Sequence, residues 1–376
     1  MDFETYPFEK LNILLDGVSP EDNLDMIDLT IGEPQFETPE FIQEELRKST
    51  SLLNKYPKTA GEPYLKDAIL EYMSNRFGLK LDSDQVIPTF GTRELLFNFP
   101  QFLLARKERS VMAFPNPFYQ IYEGAAIASR AEIVHLNLDS ENGFKPIIDE
   151  KRLRECDLVI LNTPNNPTAS VMEMNEMREW VKLSMELDFV LLNDECYIDL
   201  YLDEALPSML EASIEVGNFD FKNLFVINSI SKRSSAPGLR SGFIAGDSKI
   251  LKEYMKYRTY IGCASPLPLQ RAAAKAWRDH EYPEMFRKKY RKNFQIANDI
   301  LGVDIPKATF YIWLQTGDEL ALTKDLYRYC GVKVLPGSFL GRDGAGSGYV
   351  RLALVHDEKN TTEALERIKN FLGTRE

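Results

Sequence analysis

The 376-residue chain has little of what metal, disulfide and nucleic-acid chemistry needs. It holds four cysteines, Cys156, Cys196, Cys263 and Cys330, none at Cys-x-x-Cys spacing. Reduced thiols in a cytoplasmic setting are the expectation, not a disulfide framework. The three histidines, His135, His280 and His356, have no ligand spacing, so no metal is expected and each reads as a surface or structural residue. Positive charge is in deficit: 45 Lys and Arg face 57 Asp and Glu, for a net charge of -12. An acidic surface repels phosphate backbones, which argues against a nucleic-acid partner. No apolar run approaches membrane-spanning length, so no membrane association is expected. The opening residues MDFETYPFEK lack the basic-then-apolar pattern of a secretion signal. The sequon at Asn360 therefore carries no meaning. No Gly-x-Ser-x-Gly elbow, internal repeat or low-complexity segment is present.

What is present is an ordinary globular composition, 44% hydrophobic, on a chain long enough for two domains. After an arm with a short helix at Glu9–Leu15, Thr38 reads as the cap of a helix running to Arg47. Short apolar runs at Gln85–Phe90, Ser110–Phe114, Glu132–Leu136, Asp157–Asn162, Phe189–Asn193, Leu224–Ser229 and Gly242–Ala245 read as strands. Helical periodicity lies between them at Glu94–Ala105, Gln120–Ser129, Glu173–Leu187 and Lys249–Tyr260. That alternation predicts an α/β sheet covered on both faces. Beyond Pro266 the pattern changes to a long charge-rich helical stretch at 269–301. Strands at Phe310–Leu314 and Tyr349–Leu354 and a last helix at Lys359–Leu372 follow. The expected division is an arm and part of a small domain over 1–45, a large domain over 46–265 and a smaller α+β domain over 266–376.

Lys232 stands in Ser-Ile-Ser-Lys-Arg-Ser-Ser-Ala-Pro-Gly-Leu-Arg-Ser-Gly, residues 229–242. Buried strands on either side hold it in place. Ser229, Ser231 and Arg240 supply donors suited to a phosphate. A fixed amine beside an anion site is what an aldehyde cofactor carrying a phosphate requires. Other polar groups follow apolar runs, where open α/β sheets place ligands. Asn162-Thr-Pro-Asn-Asn-Pro-Thr168 reads as a stiff turn or a ligand contact. Asp194 and Tyr197 follow the run at 189–193, with Asp194 a ligand or a turn cap. Gly91 and Thr92 open a helix whose N-terminus suits an anion, though Thr92 also serves as an ordinary cap. Tyr119 reads equally as core or ligand contact. Arg351 sits inside an apolar run and needs a partner. The glycine-rich Gly341–Gly348 reads as a flexible turn, not a phosphate cradle.

The lysine segment, with Pro237, Gly238, Arg240 and Gly242, resembles the signature of the class I/II pyridoxal-phosphate aminotransferases. The other motifs occur in that family's order over nearly the whole chain. The resemblance implies fold type I: a mixed, mostly parallel seven-stranded sheet in a large domain, beside a small domain built from both termini. It implies pyridoxal 5'-phosphate bound by Lys232, with Gly91, Thr92, Ser229, Ser231 and Arg240 around its phosphate. Tyr119 is implied to stack on its ring, Asn166 and Tyr197 to meet its ring oxygen, and Asp194 to keep its nitrogen protonated. Arg351 is implied to clamp the substrate carboxylate, with Gly32 and Asn166 beside it. Tyr56 is implied to reach the phosphate of a neighbouring subunit, so a homodimer is expected. Ala169 departs from the family's usual glycine after Thr168.

The implied reaction is transamination between an amino acid and a 2-oxo acid. Segments 90–97 and 116–125 resemble those of the N-succinyldiaminopimelate aminotransferases of lysine biosynthesis. That implies glutamate and 2-oxoglutarate as one pair and a long acidic acylated amino acid as the other substrate. Arg93 is the nearest candidate for an added cation, or else a helix-surface arginine. A pyridoxal-phosphate lyase or synthase of the same fold, and an aminotransferase for aspartate or aromatic amino acids, are the rival readings.

Overall fold

The structure, a computed structural model, describes residues 3–21, 24–105 and 107–373. Strands β1 (Val86–Thr89), β2 (Val111–Asn116), β3 (Glu132–Asn137), β4 (Leu158–Asn162), β5 (Val190–Asp194), β6 (Leu224–Ser229) and β7 (Gly242–Gly246) form one sheet. Their order across it is β1-β7-β6-β5-β4-β2-β3. Only β7 runs against its neighbours. These are the seven apolar runs of the sequence, with ends shifted by a residue or two.

Every residue of β1, β2, β4, β6 and β7 is buried, whereas the edge strand β3 exposes both ends. Burial on both faces explains why the inner strands are unbroken hydrophobic runs. One face packs Trp180, Phe243 and Trp277; the other packs Phe99, Phe114, Phe225 and Tyr254.

A second, antiparallel sheet has the order β9-β10-β8, from β8 (Tyr311–Gln315), β9 (Leu335–Pro336) and β10 (Tyr349–Ala353). Phe286, Phe294, Leu326 and Ile368, from helices Glu281–Leu301, Glu319–Cys330 and Glu358–Gly373, share its core with Leu352. Ile27 and Asp28 pair with Val332 and Lys333, so N-terminal chain joins C-terminal chain there.

One local expectation changes and another is refined. Thr38 does not cap the following helix. That helix is Glu40–Lys48 with Pro39 at its N-cap, and the Thr38 hydroxyl donates instead to the Ser235 carbonyl at 2.6 Å. The stretch 269–301, read as helical, divides into two helices, Leu267–Arg278 and Glu281–Leu301. The first buries Ala272, Ala273, Ala276 and Trp277 in the core of the seven-stranded sheet, with Ile42, although it follows residue 265. The break leaves the carbonyls of Ala276 and Asp279 to accept from Arg233.

Candidate active site

Polar residues end four parallel strands: Asn116 on β2, Asn162 on β4, Asp194 on β5 and Ser229 on β6. From β2 the chain goes to β3 on one side and β4 on the other. Such a divergence opens a crevice at the carboxyl ends of the strands. A cavity of about 560 Å³ lies there.

Lys232 enters it from a single helical turn, Ile230–Arg233, that follows β6. Ser229 has extended backbone, and its hydroxyl accepts the Ser231 N–H at 3.1 Å to start the turn. Arg233 anchors the turn in the core. It donates to Asp199 at 2.7 Å, to the Ala276 carbonyl at 2.7 Å and to the Asp279 carbonyl at 2.8 Å. Asp199 also accepts from Tyr72 at 2.9 Å and Arg76 at 3.0 Å. With its neighbour fixed, Lys232 is left facing the cavity, its amine donating to the Gly32 carbonyl. Burial pulls the Lys232 pKa down to about 8; Cys196 and Glu33 oppose the shift and the cations Arg351 and Arg93 add to it.

One end of the cavity is built for an anion. Ser229 and Ser231 share a hydroxyl–hydroxyl bond of 2.8 Å beside Thr92, which opens the helix Thr92–Leu104. Arg240 lines the same end, donates to the Pro237 carbonyl at 2.8 Å and pairs with no carboxylate among the described residues. Burial lowers its pKa. Gly91 precedes Thr92 at φ 75°, and a Cβ there would lie 2.2 Å from an Arg240 nitrogen. Gly91 does not itself line the cavity; its missing side chain lets Arg240 approach.

Asp194 is buried and meets only neutral donors, the Tyr122 hydroxyl at 2.9 Å and the Cys196 N–H at 3.1 Å. Burial raises its pKa, against those hydrogen bonds. A buried carboxylate with no cation suits a protonated ring nitrogen. The Tyr119 hydroxyl accepts from Arg93 at 2.8 Å, and both side chains line the cavity. Asn162 braces the next turn. Its oxygen accepts the Asn166 N–H at 2.8 Å and its amide donates to the Asp194 carbonyl at 2.9 Å. Ala169 closes that turn at φ 61°, a left-handed conformation that explains the glycine usual there.

Arg351, on β10, donates to the Asn166 side chain at 2.8 Å and the Thr30 carbonyl at 2.5 Å. Its Nε is buried without a partner. The guanidinium lies 4.4 Å from the centre of the Tyr311 ring. The Tyr197 and Tyr311 hydroxyls are 3.0 Å apart. Tyr197, Asn166 and Gly32 all line the cavity.

The remaining residues sort themselves by position. Tyr56 is fully exposed and lies outside the cavity. Glu195 turns away, accepting from the Ser208 hydroxyl and the Met209 N–H at the start of the helix Met209–Glu215. The glycine-rich turn is not loose: the Arg342 N–H donates to Asn116 at 2.9 Å and its guanidinium pairs with Glu123. Sequence reasoning missed Tyr6, Phe8, Glu33, Tyr122 and Tyr311, which also line the cavity. Tyr122 carried a signal, one helical turn after Tyr119. The others carried none. Among the described residues, no His, Cys, Asp and Glu group could hold a metal ion, and no helix is long and apolar enough to cross a membrane.

The sequence model for aminotransferase class I and II matches residues 24–368. The chain belongs to that family. It is 32% identical to the LL-diaminopimelate aminotransferase of Natranaerobius thermophilus, over 93% of this chain and 92% of the relative. Its fold superposes on the Helicobacter pylori aminotransferase AspB with a TM-score of 0.96 and 46% identity, covering 99% of each chain. An aminotransferase from Neisseria meningitidis gives 0.93 and 38%, covering 98% of each. The chain is therefore a transaminase of fold type I, acting on amino acids and 2-oxo acids with pyridoxal phosphate as cofactor. The residues present fit that cofactor: an uncommitted arginine with hydroxyls at one end, a cation-free acid at the other, and a lysine between them.

Proposed function

We propose that this transaminase uses glutamate and 2-oxoglutarate as one pair and a long, acidic, acylated amino acid of the N-succinyldiaminopimelate type as the other substrate, a step in lysine synthesis. Bound pyridoxal phosphate supplies an aldehyde to take up the amino group and a ring to accept electrons from the α-carbon. Lys232 would hold the cofactor through its amine, and that amine is the base that would take the proton of the substrate's α-carbon. An amine with a pKa of about 8 is partly neutral near pH 7.5, as a base must be. Asp194 would hold a proton on the ring nitrogen, and Tyr197 and Asn166 would donate to the ring oxygen. Arg240, Ser229, Ser231, Thr92 and the Gly91 turn would hold the phosphate, and Tyr119 would meet the ring. Arg351 would orient the α-carboxylate through donors that have no acid partner among the described residues.

The observation that carries the substrate reading is Arg93. It lies at the cavity wall on an exposed face of its helix, is held by the Tyr119 hydroxyl and has no carboxylate partner among the described residues. A second cation suits a second carboxylate. The relative from Natranaerobius thermophilus is named for diaminopimelate, which supports the same substrate class. The apolar walls Phe8, Leu335 and Leu340 favour an aromatic donor as the second reading. The exposed Tyr56, with exposed Leu53 beside it, supports a homodimer in which Tyr56 serves the partner's phosphate site. Four free cysteines support a reducing, cytoplasmic setting.

The test is a half-reaction screen of the purified protein. Glutamate and N-succinyl-LL-diaminopimelate should each bleach the cofactor's visible absorbance, and 2-oxoglutarate should restore it. The substrate reading fails if neither donor bleaches it while aspartate or phenylalanine does.

A further inference from the structure

Tyr311 has no part in the roles assigned above, yet three of the site's groups converge on it. It lies on β8 beside β10, where Arg351 pairs in register with Trp313 and Ala353 with Tyr311. Residues two apart on a strand share a face, so Arg351 and Tyr311 are diagonal neighbours. The guanidinium rests 4.4 Å from the ring centre. The hydroxyl is 3.0 Å from that of Tyr197. It also lies 1.8 Å from where a Cβ on Gly32 would stand, and the Gly32 carbonyl holds the Lys232 amine. Tyr311 is 2% exposed but faces the cavity.

We infer that Tyr311 is a positioning residue: its ring carries Arg351 and its hydroxyl sets the strength with which Tyr197 donates a hydrogen bond. A core aromatic needs only its ring, and phenylalanine would fill the same space. The hydroxyl adds one thing: either hydroxyl can donate in this pair, and once Tyr197 gives its own proton to a ligand, Tyr311 is the one left to donate to the Tyr197 oxygen. A phenol that accepts a hydrogen bond donates its own proton more strongly. The ring adds another, a π-face under a buried guanidinium that has no acid to hold it flat. Clamp and Tyr197 are thus adjusted by one side chain from the smaller sheet. This rests on the reading of Arg351 and Tyr197 given above.

The test uses the loaded enzyme and two readouts other than turnover: the pH midpoint of the cofactor's visible absorbance, and the affinity for glutarate, an unreactive dicarboxylate, by calorimetry. In Tyr311→Phe a weaker Tyr197 donor stabilises the deprotonated chromophore less, so the midpoint should rise by about half a pH unit. Glutarate affinity should stay within about twofold, because the ring remains. In Tyr311→Leu the midpoint should rise similarly and glutarate should bind about tenfold more weakly. Tyr197→Phe and Arg351→Ala serve as references. An unmoved midpoint in Tyr311→Phe, with Tyr197→Phe moving it, overturns the hydroxyl's part. Wild-type glutarate affinity in Tyr311→Leu, with Arg351→Ala losing it, overturns the ring's part. If neither reference variant changes its readout, the reading of the site fails and this inference falls with it.

Discussion

The lowered pKa of Lys232 is a statement about stability as well as catalysis, and it can be tested without substrate. An unfolded lysine titrates near 10.5 and the folded one at about 8. Between those values the unfolded chain binds more protons, so stability must rise with pH across that window. A shift of that size corresponds to a ceiling of about 3 kcal/mol. Roughly half of it, about 2 kcal/mol, is recovered between pH 7.5 and pH 9.5. Lys232 is half-buried and reaches solvent through the cavity, so water screens part of the cost of its charge. About 1 kcal/mol is therefore the change to expect.

Lys232→Met keeps the stem and removes the charge. Cofactor-free wild type and variant should be unfolded in urea at both pH values. The variant should be the more stable at pH 7.5 by about 1 kcal/mol or more, and most of that difference should vanish at pH 9.5. The comparison cancels groups common to both proteins. One of these is Glu195, whose pKa burial lifts to about 8, so that its contribution is lost as pH rises from the unfolded value to that figure. Equal stability differences at the two pH values would refute the reasoning. They would mean that the Lys232 amine is hydrated like a surface lysine.

Two further variants probe the frame of the site. Gly91→Ala would force a Cβ into a left-handed backbone and against Arg240; cofactor retention on dialysis should weaken by about tenfold or more, with the fold intact by circular dichroism. Asp199→Asn would leave Arg233 buried without a counter-charge, beside Arg76; urea unfolding should report a loss of about 3–5 kcal/mol, and a loss under about 1 kcal/mol would show that the pair does not anchor the lysine turn.

How much of this could be read from the sequence depended on whether a residue's place is decided locally. Asp194, Asn162 and Ser229 end strands buried on both faces, so an apolar run followed by a polar residue marks each one. Lys232 lies between two such strands, and its position follows from theirs. Tyr311, Phe8 and Glu33 are different. Each reaches the cavity only because the smaller sheet and the N-terminal arm fold across the strand ends, and nothing in their local pattern encodes that. Ring and stem then look like ordinary core or surface. The alanine-rich helix Leu267–Arg278 is of the same kind: its face is apolar, but which core it enters is a tertiary choice.

Unmatched charge was the trace that crossed both cases. The surface is acidic overall, yet inside the cavity Arg240, Arg351 and Arg93 pair with no carboxylate among the described residues, and Asp194 meets no cation. Elsewhere in the same fold buried Arg233 and Arg258 are neutralised by Asp199 and Glu94, and half-buried Arg342 by Glu123. A chain that can pair its buried cations, and does so around the site, leaves buried Arg351 and Asp194 uncompensated at a cost in stability, whereas Arg93 is exposed and carries no such cost. The pattern they leave is the negative of a ligand: an anion at Arg240, a carboxylate at Arg351, a second acid at Arg93 and a protonated nitrogen at Asp194. A phosphorylated pyridine cofactor would supply the first and the last, and the dicarboxylic amino acid proposed above would supply the other two.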